Sequence, residues 1–106
     1  MFDPNNVPIE FLKEIKRYIQ VSWSDNDTDQ EIIDEILNAE KTLNHKLGAE
    51  YDYTKPGQEK SLFKNYMLYS WNKCLNEFDS AYKEEIYQIK HKAEVANYEK
   101  QISALQ

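Results

Sequence analysis

The chain has 106 residues, 41% of them hydrophobic and 30% charged, with two glycines, three prolines and a formal net charge of -6. A chain this short holds one modest core, which excludes a two-domain enzyme, and so few glycines and prolines exclude the many tight turns of a sandwich or barrel. The negative balance argues against a protein that wraps nucleic acid by neutralising phosphates.

In chain order, the first predicted helix covers residues 8–19. Pro8 suits a first turn and Asn6 a cap, and Phe11, Leu12, Ile15, Tyr18 and Ile19 share one broad face. Residues 21–27 break that period and read as a loop. The second helix is predicted over 28–47. Thr28 and Glu31 match the S/T-x-x-E capping box. Ile33, Ile36, Leu37, Leu43 and Leu47 form its apolar stripe, and Gly48 suits the left-handed position past its end. Residues 49–58 are a connector, with Pro56-Gly57 as a turn. The third helix is predicted over 59–78, with Phe63, Met67, Ser70, Cys74 and Phe78 on one side, widened by Leu62, Tyr66 and Tyr69. The fourth, over 80–98, carries Tyr82, Ile86, Ile89 and Ala93, a thinner stripe suited to docking on another chain. The fold class expected is all-α, a small bundle of three to four helices. Residues 1–80 form the helical core domain, and residues 81–106 a partner-docking C-terminal helix and tail.

The single cysteine, Cys74, makes no internal disulfide, and its apolar stripe assigns it as a buried structural thiol. The N-terminus, Met1-Phe2-Asp3-Pro4, carries no secretory signal pattern, and no apolar run approaches the roughly 18 residues of a membrane span. Asp25-Asn26-Asp27-Thr28-Asp29 resembles the opening of a calcium loop. The sixth position is Gln30 instead of glycine and the twelfth is Ile36 instead of a bidentate glutamate, so a helix-capping acidic loop is the reading. His45 and His91 have no ligand at metal spacing. Asp34-Glu35 and Glu84-Glu85 are adjacent, and adjacent residues on a helix point apart, so neither is an acid/base pair. No catalytic, metal or cofactor constellation emerges, and an enzyme is the least expected class.

The charge is unevenly distributed. Residues 1–53 hold twelve acids and five bases, whereas residues 54–106 hold seven acids and eight bases. The window 25–40 contains Asp25, Asp27, Asp29, Glu31, Asp34, Glu35 and Glu40 and no base. Such a run is either a solvated helix face or a surface that repels a polyanion or meets a basic partner.

In their order, these features resemble the head-tail connector adaptor (head completion) family of tailed double-stranded-DNA bacteriophages. The resemblance covers about residues 9–98. It rests on Leu12-Lys13-Glu14-Ile15-Lys16-Arg17-Tyr18-Ile19, Val21-Ser22-Trp23, the acidic loop from Asp25 to Asp29, and Ile32 through Leu47 ending at Gly48. It continues through Tyr51-Asp52-Tyr53, Leu62-Phe63-Lys64-Asn65-Tyr66, Tyr69-Ser70-Trp71-Asn72-Lys73, Asn76-Glu77-Phe78 and Tyr82-Lys83-Glu84-Glu85-Ile86-Tyr87-Gln88-Ile89.

The resemblance implies a structural adaptor of the virion, assembled in the host cytoplasm as a homo-oligomeric ring of about twelve subunits with heterologous interfaces. The free chain would be a monomer. The ring would sit beneath the portal protein, extend the DNA channel and offer a platform to the next connector or tail component. Duplex DNA would pass through it without specific binding, and no membrane or cofactor is involved. The resemblance places portal docking in residues 80–106, for which Tyr82, Ile86, Ile89 and Tyr98 are the candidates. An acid-lined lumen lets DNA slide where a basic one would hold it, so Asp25, Asp27, Asp29, Asp34 and Glu35 are the expected channel or rim surface. The rival readings are a small helical protein–protein interaction or regulatory module, whose fourth helix docks in a partner groove, and a helix-turn-helix DNA binder. Arg17 as the sole arginine disfavours the DNA binder.

Overall fold

The computed structural model describes residues 2–105; Met1 and Gln106, the two ends of the predicted segments, lie outside them. Among the described residues the chain is all-helical. It contains α1 (Ile9–Tyr18), α2 (Asn26–Leu47), α3 (Gln58–Trp71), a 3-10 turn (Leu75–Glu77), the single-turn α4 (Phe78–Ala81) and α5 (Lys83–Leu105), with no strand. The connector with Tyr51 and Tyr53 is therefore loop, turning at Tyr53–Thr54.

The core is where α1, α2 and α3 meet. Phe11, Leu12, Ile15 and Ile19 from α1 and the turn after it face Ile32, Ile36, Ala39, Leu43 and Leu47 from α2. Leu62, Phe63, Tyr66 and Met67 of α3 close the third side. The buried line of α2 runs through Ile32 rather than Ile33. Ile33 and Leu37 sit half-buried on its flank, because the buried line of α2 faces α3 and α5 as well as α1. Tyr53 drops from the connector into this core and stacks 4.8 Å from Phe63. Its hydroxyl donates to Asn44 Oδ1 at 2.7 Å, and burial raises its pKa.

Helix ends depart most from expectation. Pro8, not Asn6, is the residue preceding α1, with its carbonyl accepting from Leu12 N–H at 3.0 Å. α2 starts two residues early. Asp25 takes the N-cap backbone position, and Thr28 Oγ1 donates to its carboxylate at 3.0 Å, so Thr28 acts three residues inside the cap rather than as the cap. Gly48 ends α2 in the left-handed conformation (φ 74°), as expected. The 59–78 helix is broken: α3 stops at Trp71, and Lys73 turns left-handed (φ 60°). Cys74 N–H then bonds back to the Tyr69 carbonyl at 2.9 Å, the six-to-one closure of a Schellman end. The same closure ends α1, with Gln20 at φ 65° and Val21 N–H donating to the Lys16 carbonyl.

This break redirects the chain. Cys74 lies half-buried in the turn rather than on a helix stripe, its thiol against the Tyr69 carbonyl. Phe78 returns to the core from α4, ringed by Tyr66 at 5.0 Å, Tyr82 at 5.1 Å and Tyr69 at 5.9 Å. The Lys46–Asp79 ion pair (2.8 Å) fastens α4 to the end of α2. α5 then packs its first half on α2 and α3, with Ile89 buried and Ile86 and Ala93 half-buried along one side and Tyr82 half-buried just before it. Gln58 Nε2 donates to Gln88 Oε1 at 3.0 Å across the α3–α5 contact. Beyond it α5 runs free. The molecule measures 56 × 30 × 19 Å with a radius of gyration of 15.5 Å, against about 13 Å for a compact chain of this length.

Candidate functional site

Two surfaces carry the sequence candidates, and the fold sorts both. The acidic run of α2 divides by helical phase. Asp29 turns toward α1, where Lys16 Nζ lies 2.7 Å from its Oδ1 in an ion pair that is largely buried on the lysine side. Glu40 is buried and accepts the Phe2 backbone N–H with both carboxylate oxygens at 3.0 Å, pinning the N-terminal arm. Glu35 points at α3 and accepts from Ser70 Oγ at 3.1 Å. Desolvation raises its pKa, and the Ser70 bond opposes this. Asp25 is exposed but engaged by Thr28. Asp27, Glu31 and Asp34 share the outer face of α2, all exposed. The free acidic patch is thus narrower than the base-free window: of the five rim candidates, Asp29 and Glu35 face inward and Asp27 and Asp34 face out. The first turn of α2 carries Asp27 and Asp29 and its last turn His45 and Lys46, which complements the helix dipole at both ends.

The docking candidates divide in the same way. Ile89 is 1% exposed and belongs to the core. Tyr82 stacks on Phe78 and Tyr69, burial raising its pKa, and Ile86 is packed against the core. Tyr98 is 64% exposed. The division at residue 80 therefore runs through core contacts, and the part of the chain free to meet a partner begins near Lys90. There Val95, Tyr98 and Ile102 are all exposed, and they lie on the side of α5 opposite the Ile86–Ile89–Ala93 stripe.

A third feature was missed by sequence reasoning. Both tryptophans, Trp23 from the loop before α2 and Trp71 at the end of α3, line one groove of about 450 Å³ with Glu31, Glu35 and Lys73. They are 48 positions apart in the chain and join only because α2 and α3 lie side by side. Trp23 is half-exposed, with its indole N–H directed at Thr28 Oγ1 at 3.4 Å.

Elsewhere, Glu14 of α1 joins Lys60 (2.8 Å) and Lys64 (3.3 Å) of α3, and these lysines lower its pKa. Among the described residues no group of three His, Cys, Asp or Glu is arranged to hold a metal ion, and no helix is long and apolar enough to cross a membrane. Comparison with protein-family models, curated proteins and solved structures finds no match to this chain.

Proposed function

We propose that this chain is a structural adaptor of a phage head-to-tail connector. In this reading it forms a ring beneath the portal protein that extends the DNA channel and carries the next connector or tail component. The observation that supports this best is the distal half of α5. It leaves the body as a helix whose residues are almost all exposed and which presents Val95, Tyr98 and Ile102 outward. A small domain with a long projecting apolar-faced helix suits an assembly part, since such a face has no use in the isolated fold. Tyr98 is the docking residue of this reading, while Tyr82, Ile86 and Ile89 hold the helix onto its own body.

The patch of Asp27, Glu31 and Asp34 is the channel or rim surface of the proposed ring. Repeated around a ring, these side chains repel the phosphates of passing duplex. Electron microscopy of the protein mixed with portal rings of its phage tests the reading. It should show added density of matching symmetry below the portal, lost on Tyr98→Glu. Bare portal rings under all conditions would overturn it. A ring in which Asp27, Glu31 and Asp34 pack against a neighbour's lysines would overturn the channel assignment.

The two-tryptophan groove favours a second reading, a helical interaction module. Its aromatic walls with two carboxylates fit a cationic side chain of a partner. Loss of partner binding on Trp23→Ala, with Tyr98→Glu silent, would choose that reading.

A further inference from the structure

The outward face of α5 has a register that specifies its occupant. His91, Val95, Tyr98 and Ile102 follow one another at intervals of four, three and four residues, the spacing of a coiled-coil seam. Val95 is 41%, Tyr98 64% and Ile102 38% exposed, and Tyr87 stacks flat on His91 (5.7 Å, 7°) at the body end of the line. Seam and body contact lie on opposite sides of the helix, so a second helix can approach without meeting α2 or α3. The seam is flanked on one side by Lys92 and Glu99 and on the other by Glu94 and Gln101. All four are exposed, and none joins an ion pair among the described residues.

These flanks decide orientation. When two such helices run antiparallel, like flanks face each other. Lys92 then meets the Glu99 position of a second copy, twice by symmetry, while Val95 packs on Tyr98 and His91 on Ile102. When they run parallel, opposite flanks meet, and Glu94 faces Glu99 with like charge, also twice. We infer that the free chain self-associates through α5 as an antiparallel pair centred between Ala96 and Asn97. Residues 90–105 offer roughly 24 Å of helix, so the interface falls near the lower limit of about 1,000 Å² for stable pairs. The dimer is therefore concentration-dependent, in contrast to the monomer expected from the sequence. This inference is independent of the connector reading, because its test contains no portal.

Sedimentation equilibrium of the full chain, with circular dichroism to verify helicity, tests it. The wild-type protein should pass from monomer to dimer with rising concentration, and Tyr98→Glu should weaken the dimer by about 100-fold or more. Glu99→Lys should weaken it by about tenfold, as two exposed charge pairs allow, and Lys92→Glu with Glu99→Lys should restore it to within about twofold. A wild-type monomer up to about 1 mM, where association becomes negligible, would overturn the inference. So would a dimer or larger assembly indifferent to Tyr98→Glu, or one left unchanged or tightened by Glu99→Lys, the result that a parallel pair predicts.

Discussion

The two halves of α5 are continuous in backbone and opposite in environment. In the proximal half, Ile86, Ile89 and Ala93 lie against α2 and α3, with Tyr82 just before the helix joining the Phe78 cluster. In the distal half the apolar residues move to the other side, where Val95, Tyr98 and Ile102 are exposed. Isolated helices of fewer than about 12–15 residues are marginal in water, and tertiary packing supplies most helix stability. The proximal half is therefore held by the core, while the distal half is a helix extended from it and stabilised further only by a partner. The comparison teaches that a helix which scatters apolar residues around its circumference need not be poorly amphipathic. Here it carries two short stripes in succession, one for the body and one for the outside.

That contrast is testable by truncation, the largest expected effect. Ending the chain after residue 80 removes Tyr82, Ile86 and Ile89 together. It should abolish a cooperative thermal transition, since each buried large-to-small loss alone costs about 2–5 kcal/mol. Ending it after Ala93 should leave the midpoint of urea unfolding of the monomer nearly unchanged, because the side chains of residues 94–104 are all exposed. Equal effects from the two cuts would erase the distinction between the halves. Next in size, Phe78→Ala should destabilise by about 3–5 kcal/mol in chemical denaturation, as the centre of the three-tyrosine cluster to which Tyr82 belongs.

A smaller effect of opposite sign is expected at the end of α1. Gln20→Gly should stabilise by about 0.5–1 kcal/mol, because it relieves a left-handed residue that bears a β-carbon. The smallest effects are electrostatic, and they separate the two contacts that α3 makes with its neighbours. The pKa of Glu14 is lowered in the fold by Lys60 and Lys64, so its contribution is present above the ordinary carboxylate pKa and is lost as pH falls through the lowered value. The pKa of Glu35 is raised by burial, so its ionised form opposes folding. Its favourable contribution is complete below the ordinary value and disappears as pH rises through the raised one. Denaturation measured from pH 7 to pH 3 should show Glu14→Gln reducing the loss of stability on acidification. Glu35→Gln should do the reverse and leave the protein at least as stable as wild type at pH 7.

Much of the fold was legible in the sequence for local reasons. The 3.6-residue period of α1 and α2 and the glycine after Leu47 depend on neighbours in sequence, and both led to the observed elements. The end of α3 was not legible. Lys73 and Gln20 occupy left-handed positions usually taken by glycine, so a predictor relying on that residue runs the helix on to Phe78. The acidic run was visible as a run, but its division was not. The α1 approach selects Asp29 for Lys16, and the α3 approach selects Glu35 for Ser70.

By itself the sequence determined an all-helical chain, an acidic N-terminal half and a thin-striped last helix, because helical period, charge and composition are properties of consecutive residues. Tertiary structure alone decided which acids face water, which part of α5 remains free and that Trp23 and Trp71 share one groove. Those outcomes depend on how helices rotate and lie against one another. Packing side chains from all of them into one dense core determines that rotation, and no single segment contains the information.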